Sequence, residues 1–231
     1  MQYKDQFLQL LSSPDETNVM LAFEMAKGIP EIDLKQHLED YLVLWQCFFD
    51  KELKKIDHTH VISLNQSTIE INSYRIEFLP PEIRRLQNLE SLTLFDNQLK
   101  AFPKEIGALH NLKDLNFLSN QITELPIEIG LLTNLEVLAG SLNQLKYLPE
   151  EISQLVNLRV LYFPYNHLTS LPKGIRKLTK LQELNLPRNG LTHLPEEMRH
   201  FPDLNYINLK NNPISDQERQ KIEEWFPKAR L

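Results

Sequence analysis

The fold is decided by a 23-residue unit, which residues 89–111 show most clearly: LESLTLFDNQLKAFPKEIGALHN. Its first leucine recurs every 23 residues without insertion or deletion, at Leu89, Leu112, Leu135, Leu158, Leu181 and Leu204. Its asparagine keeps the same step, at Asn97, Asn120, Asn143, Asn166, Asn189 and Asn212. A fixed period of this length is typical of a solenoid, in which each unit buries its apolar residues only against its neighbours.

Positions within the unit, numbered from the first leucine, each predict a local structure. Positions 3–7 alternate in character, as in Ser91-Leu92-Thr93-Leu94-Phe95, which indicates a short strand that buries positions 4 and 6. The asparagine at position 9 can bond backbone groups of its own and the adjacent turn, so stacked units would form an asparagine ladder. Position 15 is proline, which favours the start of a short helical turn.

This pattern resembles the leucine-rich repeat family, whose units read LxxLxLxxNxL followed by xxLPxxIxxLxN. The 23-residue form with Leu-Pro is similar to the short repeats of bacterial proteins and of the intracellular Ras-group type. The resemblance covers about residues 66–214, including a degenerate first unit at 66–88. It implies an α/β solenoid with a curved parallel sheet on the concave face and short helical or 3₁₀ turns on the convex face. It also implies a role in holding other proteins.

A stack of repeats leaves an apolar face at each end, so we expect caps. We predict a helical N-terminal cap at residues 1–58, the solenoid at 59–214 and a C-terminal capping helix at 215–231. Within the first cap, Ser13-Pro14-Asp15-Glu16 fits a capping box that opens a helix. An alternative is that the N-terminal helical region carries a separate activity and the repeats choose its target.

One unit departs from the pattern at position 6, where Gly140 stands between Phe117 and Phe163 of the neighbouring units. A glycine there would leave a void, and voids in a core are costly. We predict that the two phenylalanine rings lean into this space. The alternative is a local bulge at Gly140.

The sequence offers no catalytic residue, metal site or cofactor site. Its six glycines are scattered, so no phosphate-binding loop is present. Cys47 lies in an apolar segment, where a thiol usually serves packing. His58-Thr59-His60 could place two metal ligands on one face of a strand, but no nearby Cys/His pair completes a tetrahedral set. We therefore expect a non-enzymatic protein.

Charge and composition narrow the partners and the compartment. The chain has 25 Lys and Arg against 31 Asp and Glu, a net charge of −6, which opposes binding to nucleic acid or to an anionic membrane. We expect neither partner. A single cysteine and the lack of a visible export signal suit a cytoplasmic protein. An exported effector or adhesin is the alternative.

The positions that the scaffold does not dictate are 3, 5, 7 and 8, which project from or border the concave face. Many of them are apolar or aromatic, and exposed apolar patches mark interaction sites. We predict that a partner binds at Phe95, Leu118, Val137, Leu142, Val160, Tyr162, Tyr165, Glu183, Arg188 and Tyr206. Asp96 and Asp114 would join Glu183 and Arg188 in a charged rim. Strand propensity alone also favours Val, Tyr and Phe at these positions. The predicted function is non-catalytic binding of another protein or a peptide.

Overall fold

A parallel sheet of three-residue strands forms one side of the molecule. The computed structural model describes residues 2–228 and 230–231. Its strands are β1 (Thr68–Glu70), β2 (Ser91–Thr93), β3 (Asp114–Asn116), β4 (Val137–Ala139), β5 (Val160–Tyr162), β6 (Glu183–Asn185) and β7 (Tyr206–Asn208). They lie in chain order, and each residue pairs with the one 23 positions further on, as Leu92 does with Leu115. The middle residue of every strand is buried, which confirms the predicted solenoid.

Short 3₁₀ turns form the opposite side. They span Pro81–Arg85, Lys104–Ala108, Ile127–Leu131, Glu150–Gln154, Lys173–Lys177 and Glu196–His200. A proline in extended conformation precedes most of them, as Pro103 does with φ −69° and ψ 153°, because its ring suits entry into a helical turn. Successive turns pack closely: a Cβ on Gly107 would lie 2.6 Å from the carbonyl oxygen of Glu128.

The asparagines of position 9 bond the units to one another through the same three hydrogen bonds in every unit. Asn143 is representative: its Nδ2 donates to the carbonyl oxygens of Phe117 (3.0 Å) and Gly140 (3.2 Å), and its Oδ1 accepts from the N–H of Ile122 (2.9 Å). Each amide therefore satisfies backbone groups of its own unit and of the preceding one. Buried groups left without such partners would cost free energy.

Gly140 makes room for two rings. A Cβ at this position would collide with the Phe117 ring and would lie 2.6 Å from Cε1 of Phe163. Both phenylalanines are fully buried, with ring centroids 5.9 Å apart. The prediction that the rings fill the space is confirmed.

Four helices precede the sheet: α1 (Gln2–Leu11), α2 (Glu16–Gly28), α3 (Leu34–Phe48) and α4 (His58–Leu64). The predicted capping box is wrong in detail. Helix α2 begins at Glu16, and its N-cap is Asp15, whose carboxylate accepts from the N–H of Asn18 at 3.1 Å. Ser13 instead accepts from the N–H of Asp15 and lies two residues before the N-cap.

His58-Thr59-His60 was expected to lie on a strand, but these residues begin helix α4. The Asp57 side chain caps the helix by accepting from the N–H groups of Thr59 and His60, and hydrogen bonds led by the Thr59 hydroxyl hold the pKa of its carboxyl below its usual range. Val61 and Leu64 continue the helix on its buried face. Residues two apart on a helix point in different directions, so the two histidines do not share a face.

The N-terminal helices share one apolar core with the solenoid. Buried Asn65 joins α3 and α1, because its Oδ1 accepts from the Tyr41 hydroxyl (3.1 Å) and its Nδ2 donates to the carbonyl oxygen of Leu11 (2.8 Å). Asn88 of the first repeat donates from its Nδ2 to the carbonyl oxygen of Asn65 (3.2 Å) and so links these helices to the solenoid. Asp40 also pairs with Arg85 of the first repeat at 2.5 Å. Helix α4 lies across the predicted boundary at residue 58. The predicted caps at 1–58 and 215–231 also include Met1 and Ala229, which lie outside the described residues.

The chain closes the far end of the sheet with helix α5 (Asp216–Trp225) and the segment after it. Ser215 caps this helix by accepting from the N–H of Glu218 at 3.2 Å. Beyond it, Arg230 pairs with β7: its N–H donates to the carbonyl oxygen of Ile207 at 2.8 Å, and its own carbonyl accepts from the N–H of Leu209 at 2.6 Å. The outer edge of β7 is therefore partly paired.

Candidate functional site on the concave face

The outward strand positions, 3 and 5, present a row of side chains that are half-buried from β2 to β7, except for the buried Asn185. Position 3 aligns Asp114, Val137, Val160, Glu183 and Tyr206 across successive strands. Position 5 aligns Asn116, Ala139, Tyr162 and Asn185. The register thus brings together five of the predicted site residues: Val137, Val160, Tyr162, Glu183 and Tyr206.

Position 8 has a backbone conformation that the sequence analysis did not anticipate. In six successive units its φ lies between 54° and 60°, the left-handed region, at Asp96, Ser119, Leu142, Tyr165, Arg188 and Asn211. This region costs a residue with a side chain about 1–2 kcal/mol. Asp96 and Asn211 gave only a weak indication of this conformation in the sequence, since Asp and Asn are the residues other than glycine that adopt positive φ most readily.

The asparagine ladder and the turn bonds hold position 8 in this conformation. The N–H of Leu142 donates to the carbonyl of Pro164, and that of Tyr165 donates to Pro187, both at 3.0 Å. The side chains are pushed outward as a result: Leu142 is 48% exposed and Tyr165 47% exposed. We call the six position-8 residues the ridge; it borders the strand surface on one side.

The other predicted residues lie at the two ends of this surface. Phe95 is exposed and Leu118 half-buried, both at position 7 near the first repeats. At the other end, the Arg188 guanidinium carbon lies 5.0 Å from the centre of the Tyr165 ring, and that of Arg230 lies 5.2 Å from the Tyr206 ring. Sequence reasoning missed Arg230, because only the pairing of the last residues with β7 places it there.

Charge is sorted along the outward positions 3, 5, 7 and 8. In residues 66–134 they carry Glu70, Asp96 and Asp114 and no Lys or Arg; we call this the acidic zone. In residues 135–180, the neutral zone, they carry no charge. From residue 181 onward they carry Arg188, Lys210 and Glu183, and Arg230 joins them; this is the basic zone.

Several of these charges have no counter-ion among the described residues. Asp114 forms no ion pair there, and its partial burial raises the pKa of its carboxyl. Arg188, Lys210 and Arg230 likewise form no salt bridge in the described part of the chain. The two arginines instead contact tyrosine rings, which hold cations over their faces.

The remaining reactive side chains give no sign of chemistry. Burial raises the pKa of the Cys47 thiol to about 11, and its Sγ donates to the carbonyl oxygen of Phe78 at 3.4 Å. Such a thiol is protonated at neutral pH and is a poor nucleophile. Within residues 2–228 and 230–231, no three His, Cys, Asp or Glu side chains cluster as metal ligands would.

The chain matches a known protein family. The model of the leucine-rich repeat region matches residues 104–226, more than half of the chain. The chain belongs to the leucine-rich repeat family. The search of curated proteins gave no match. In the described part of this repeat protein, no helix combines the length and apolar character needed to cross a membrane.

Solved structures are similar to this chain, and the two plant receptors, with TM-scores above 0.5, share its fold. A leucine-rich repeat protein of Leptospira interrogans is 32% identical over 74% of this chain and 56% of its own length, with a TM-score of 0.45. The ectodomain of the Arabidopsis thaliana receptor kinase GASSHO1/SCHENGEN3, in complex with CASPARIAN STRIP INTEGRITY FACTOR 2, is 28% identical over 71% of this chain and 21% of its own, with a TM-score of 0.58. The plant peptide hormone receptor RGFR1, in complex with RGF2, is 26% identical over 72% and 30%, with a TM-score of 0.59. This chain spans a fifth to just over half of these proteins.

Proposed function

We propose that this leucine-rich repeat protein is a non-catalytic interaction module that binds another protein or a peptide on its concave face. The observation that carries the proposal is the ridge at Leu142 and Tyr165. Both are bulky, both are about half exposed, and both stand in a left-handed conformation that glycine or asparagine would adopt at lower cost. Strained, exposed apolar residues of this kind occur where function retains them.

The partner would meet a surface that is already formed. The ridge is fixed by backbone hydrogen bonds, and the strand surface is fixed by the asparagine ladder, so little ordering entropy is lost on binding. The plant receptors RGFR1 and GASSHO1/SCHENGEN3, which share this fold, are in complex with RGF2 and CASPARIAN STRIP INTEGRITY FACTOR 2. This likeness supports a protein or peptide partner.

The rest of the proposal follows the charge and the reactive groups. The net charge of −6 opposes binding of phosphate groups, which argues against nucleic acid and anionic lipid as partners. We further propose that the N-terminal helices and α5 are caps, that the protein needs no cofactor, and that it acts in the cytoplasm.

A matched pair of tyrosines tests the binding face. Tyr165 on the ridge is 47% exposed, and Tyr147, away from it, is 50% exposed. Proteins from the source organism would be captured on immobilised wild type, Tyr162→Ala/Tyr165→Ala and Tyr147→Ala, and quantified by mass spectrometry. We expect a partner that is lost with the double variant and retained with Tyr147→Ala. Equal retention on all three baits would contradict the concave face as the binding site.

A further inference from the structure

The order of charge on the concave face specifies the kind of partner segment, and this inference rests on the proposed function. We propose that the partner presents an extended segment with a cationic side chain over the acidic zone, apolar side chains over the neutral zone and a carboxylate over the basic zone. The segment crosses the strands, so that its two charges lie at opposite ends of the solenoid.

The charges at both ends are available to a ligand. Asp114 stands at an outward position of β3 between Ser91 and Val137, and neither neighbour brings a cation to it. A partly buried carboxylate without a counter-ion is stabilised by an incoming cation. At the other end, the guanidinium groups of Arg188 and Arg230 rest on tyrosine rings, which holds them in place without neutralising them.

The spacing of the strands sets the separation of the two charges. Asp114 belongs to β3 and Arg188 follows β6, so three strand spacings of about 4.8 Å, together about 14 Å, separate their levels. An extended chain that runs straight along the stack covers that distance in about four residues. The offset between position 3 of Asp114 and position 8 of Arg188 along the strands lengthens the path toward about six residues. Lys210, which follows β7, lies one level further, at about six residues. Arg230 pairs with the outer edge of β7, and its guanidinium reaches back over the Tyr206 ring of that strand.

The neutral zone suits the apolar middle of such a segment. Ala139 pairs with Asn116 on one side and Tyr162 on the other, and its methyl group is smaller than either of their side chains. Val137 and Val160 line the same surface, and Leu142 and Tyr165 border it. Nothing charged lies here, so an apolar side chain would meet no desolvation penalty.

A second copy of this chain fits less well. Two copies turned antiparallel would pair the acidic zone with the basic zone. Two concave faces, however, touch only at their ends, and this would leave both neutral zones without contact. The proposal therefore commits to a peptide segment, and a concentration-dependent dimer in light scattering, abolished by Arg188→Glu, would overturn it.

Defined peptides test the charge order. The probes are fluorescein-labelled, N-acetylated and C-amidated peptides with two charged residues. The positions between the two charged residues are filled only with Leu, Gly and Tyr. The charged pair is Lys and Glu, Lys and Lys, or Glu and Glu, placed two, four, six or eight positions apart. Fluorescence polarisation on the full chain should give about tenfold tighter binding for Lys and Glu peptides at four to six positions than for either like-charged set.

Charge reversal of the protein should weaken this selectivity. Asp114→Arg leaves Glu70, Asp96 and one new cation in the acidic zone, so it should reduce the preference over the Glu and Glu peptides. Arg188→Glu leaves two cations beside two carboxylates in the basic zone, so it should reduce the preference over the Lys and Lys peptides. Lys177→Glu on the convex side changes the net charge as much as Arg188→Glu does, and it should leave the preference of the wild type unchanged. Circular dichroism would establish that each variant is folded.

The outcomes separate this inference from the proposed function. If the mixed-charge peptides are not preferred, or if none of the peptides binds, the charge order is overturned, and the capture experiment with Tyr162 and Tyr165 still decides the binding face. If the peptides bind and the preference ignores Asp114→Arg and Arg188→Glu, the charge order is also overturned. If peptide binding persists in Tyr162→Ala/Tyr165→Ala, the peptides bind elsewhere and both proposals fail for these ligands.

Discussion

At the scale of single residues, the absence of a side chain at Gly140 makes room for aromatic rings from both neighbouring repeats. Its missing side chain is replaced by the rings of Phe117 and Phe163, which close over it from the adjacent units. The position therefore behaves as core, although it contributes no apolar atoms beyond its backbone. Substitution there tests the packing of three repeats together.

We expect Gly140→Ala to lower the free energy of unfolding by about 1–3 kcal/mol, because the new methyl group must displace two buried rings. Gly28→Ala is the matched control, since a Cβ there would have no atom within 4 Å. Urea denaturation followed by circular dichroism measures both. Equal midpoints for the two variants would show that the rings move aside without cost.

Cys47 gives a prediction on pH. Burial raises the pKa of its thiol to about 11, so the thiolate population should still be rising above pH 10, where an ordinary cysteine has already reached its plateau. The rate of alkylation by iodoacetamide in the folded protein should therefore keep increasing from pH 8 to pH 10.5. The unfolded chain in urea is the control. A plateau near pH 9 in the folded protein would contradict the burial of the thiol.

At the scale of elements, Asn65 holds helices α1 and α3 together just before the first strand. It lies between α4 and β1, is 1% exposed, and bonds the Tyr41 hydroxyl of α3 and the carbonyl oxygens of Leu11 and Ser13. A buried amide with partners in three segments fixes their relative positions.

Removing this amide should cost more than removing any one of its bonds. Asn65→Ala removes three hydrogen bonds, two of them buried, and should destabilise the protein by about 2 kcal/mol or more, while Tyr41→Phe removes the hydroxyl that donates to Asn65 and should cost about 1 kcal/mol. Thermal unfolding at equal concentrations compares the two. A smaller effect for Asn65→Ala than for Tyr41→Phe would show that water replaces the lost amide.

The repeats could be predicted from the sequence, whereas helix α4, the ridge and the position of Arg230 could not. The repeats were predictable, because Leu, Asn and Pro recur at one step and each has one physical role. Helix α4 was not, since His58-Thr59-His60 alternates as a strand would and only the Asp57 cap and the burial of Val61 decide for a helix. The left-handed ridge was also missed, because Leu142 and Tyr165 carry no local signal for positive φ. Arg230 reaches the concave face only through a contact between distant parts of the chain.

At the scale of the whole molecule, the two ends of the sheet differ. The outer edge of β7 is paired with the backbone at Arg230, whereas β1 pairs only with β2 among the described strands. An unpaired edge can recruit a strand from another molecule. The stability and the solubility of the protein therefore depend on the last residues as well as on the repeats.

Arg230→Pro removes the N–H that donates to Ile207, and it should lower the free energy of unfolding by about 1–3 kcal/mol and increase self-association. Arg230→Ala keeps that N–H and loses only the guanidinium over Tyr206, so it should self-associate no more than the wild type. Size-exclusion chromatography with light scattering measures both variants. Equal behaviour of the two would assign the effect to the side chain.

The constant step of 23 residues has a consequence for redesign. Because each strand pairs with the next at the same offset, one whole unit can be inserted or removed without disturbing the pairing of the others. Each such edit between the acidic and basic zones would shift their separation by about 4.8 Å. The length of the solenoid would then act as a molecular gauge, and variants with added units would favour ligands whose charges stand correspondingly farther apart.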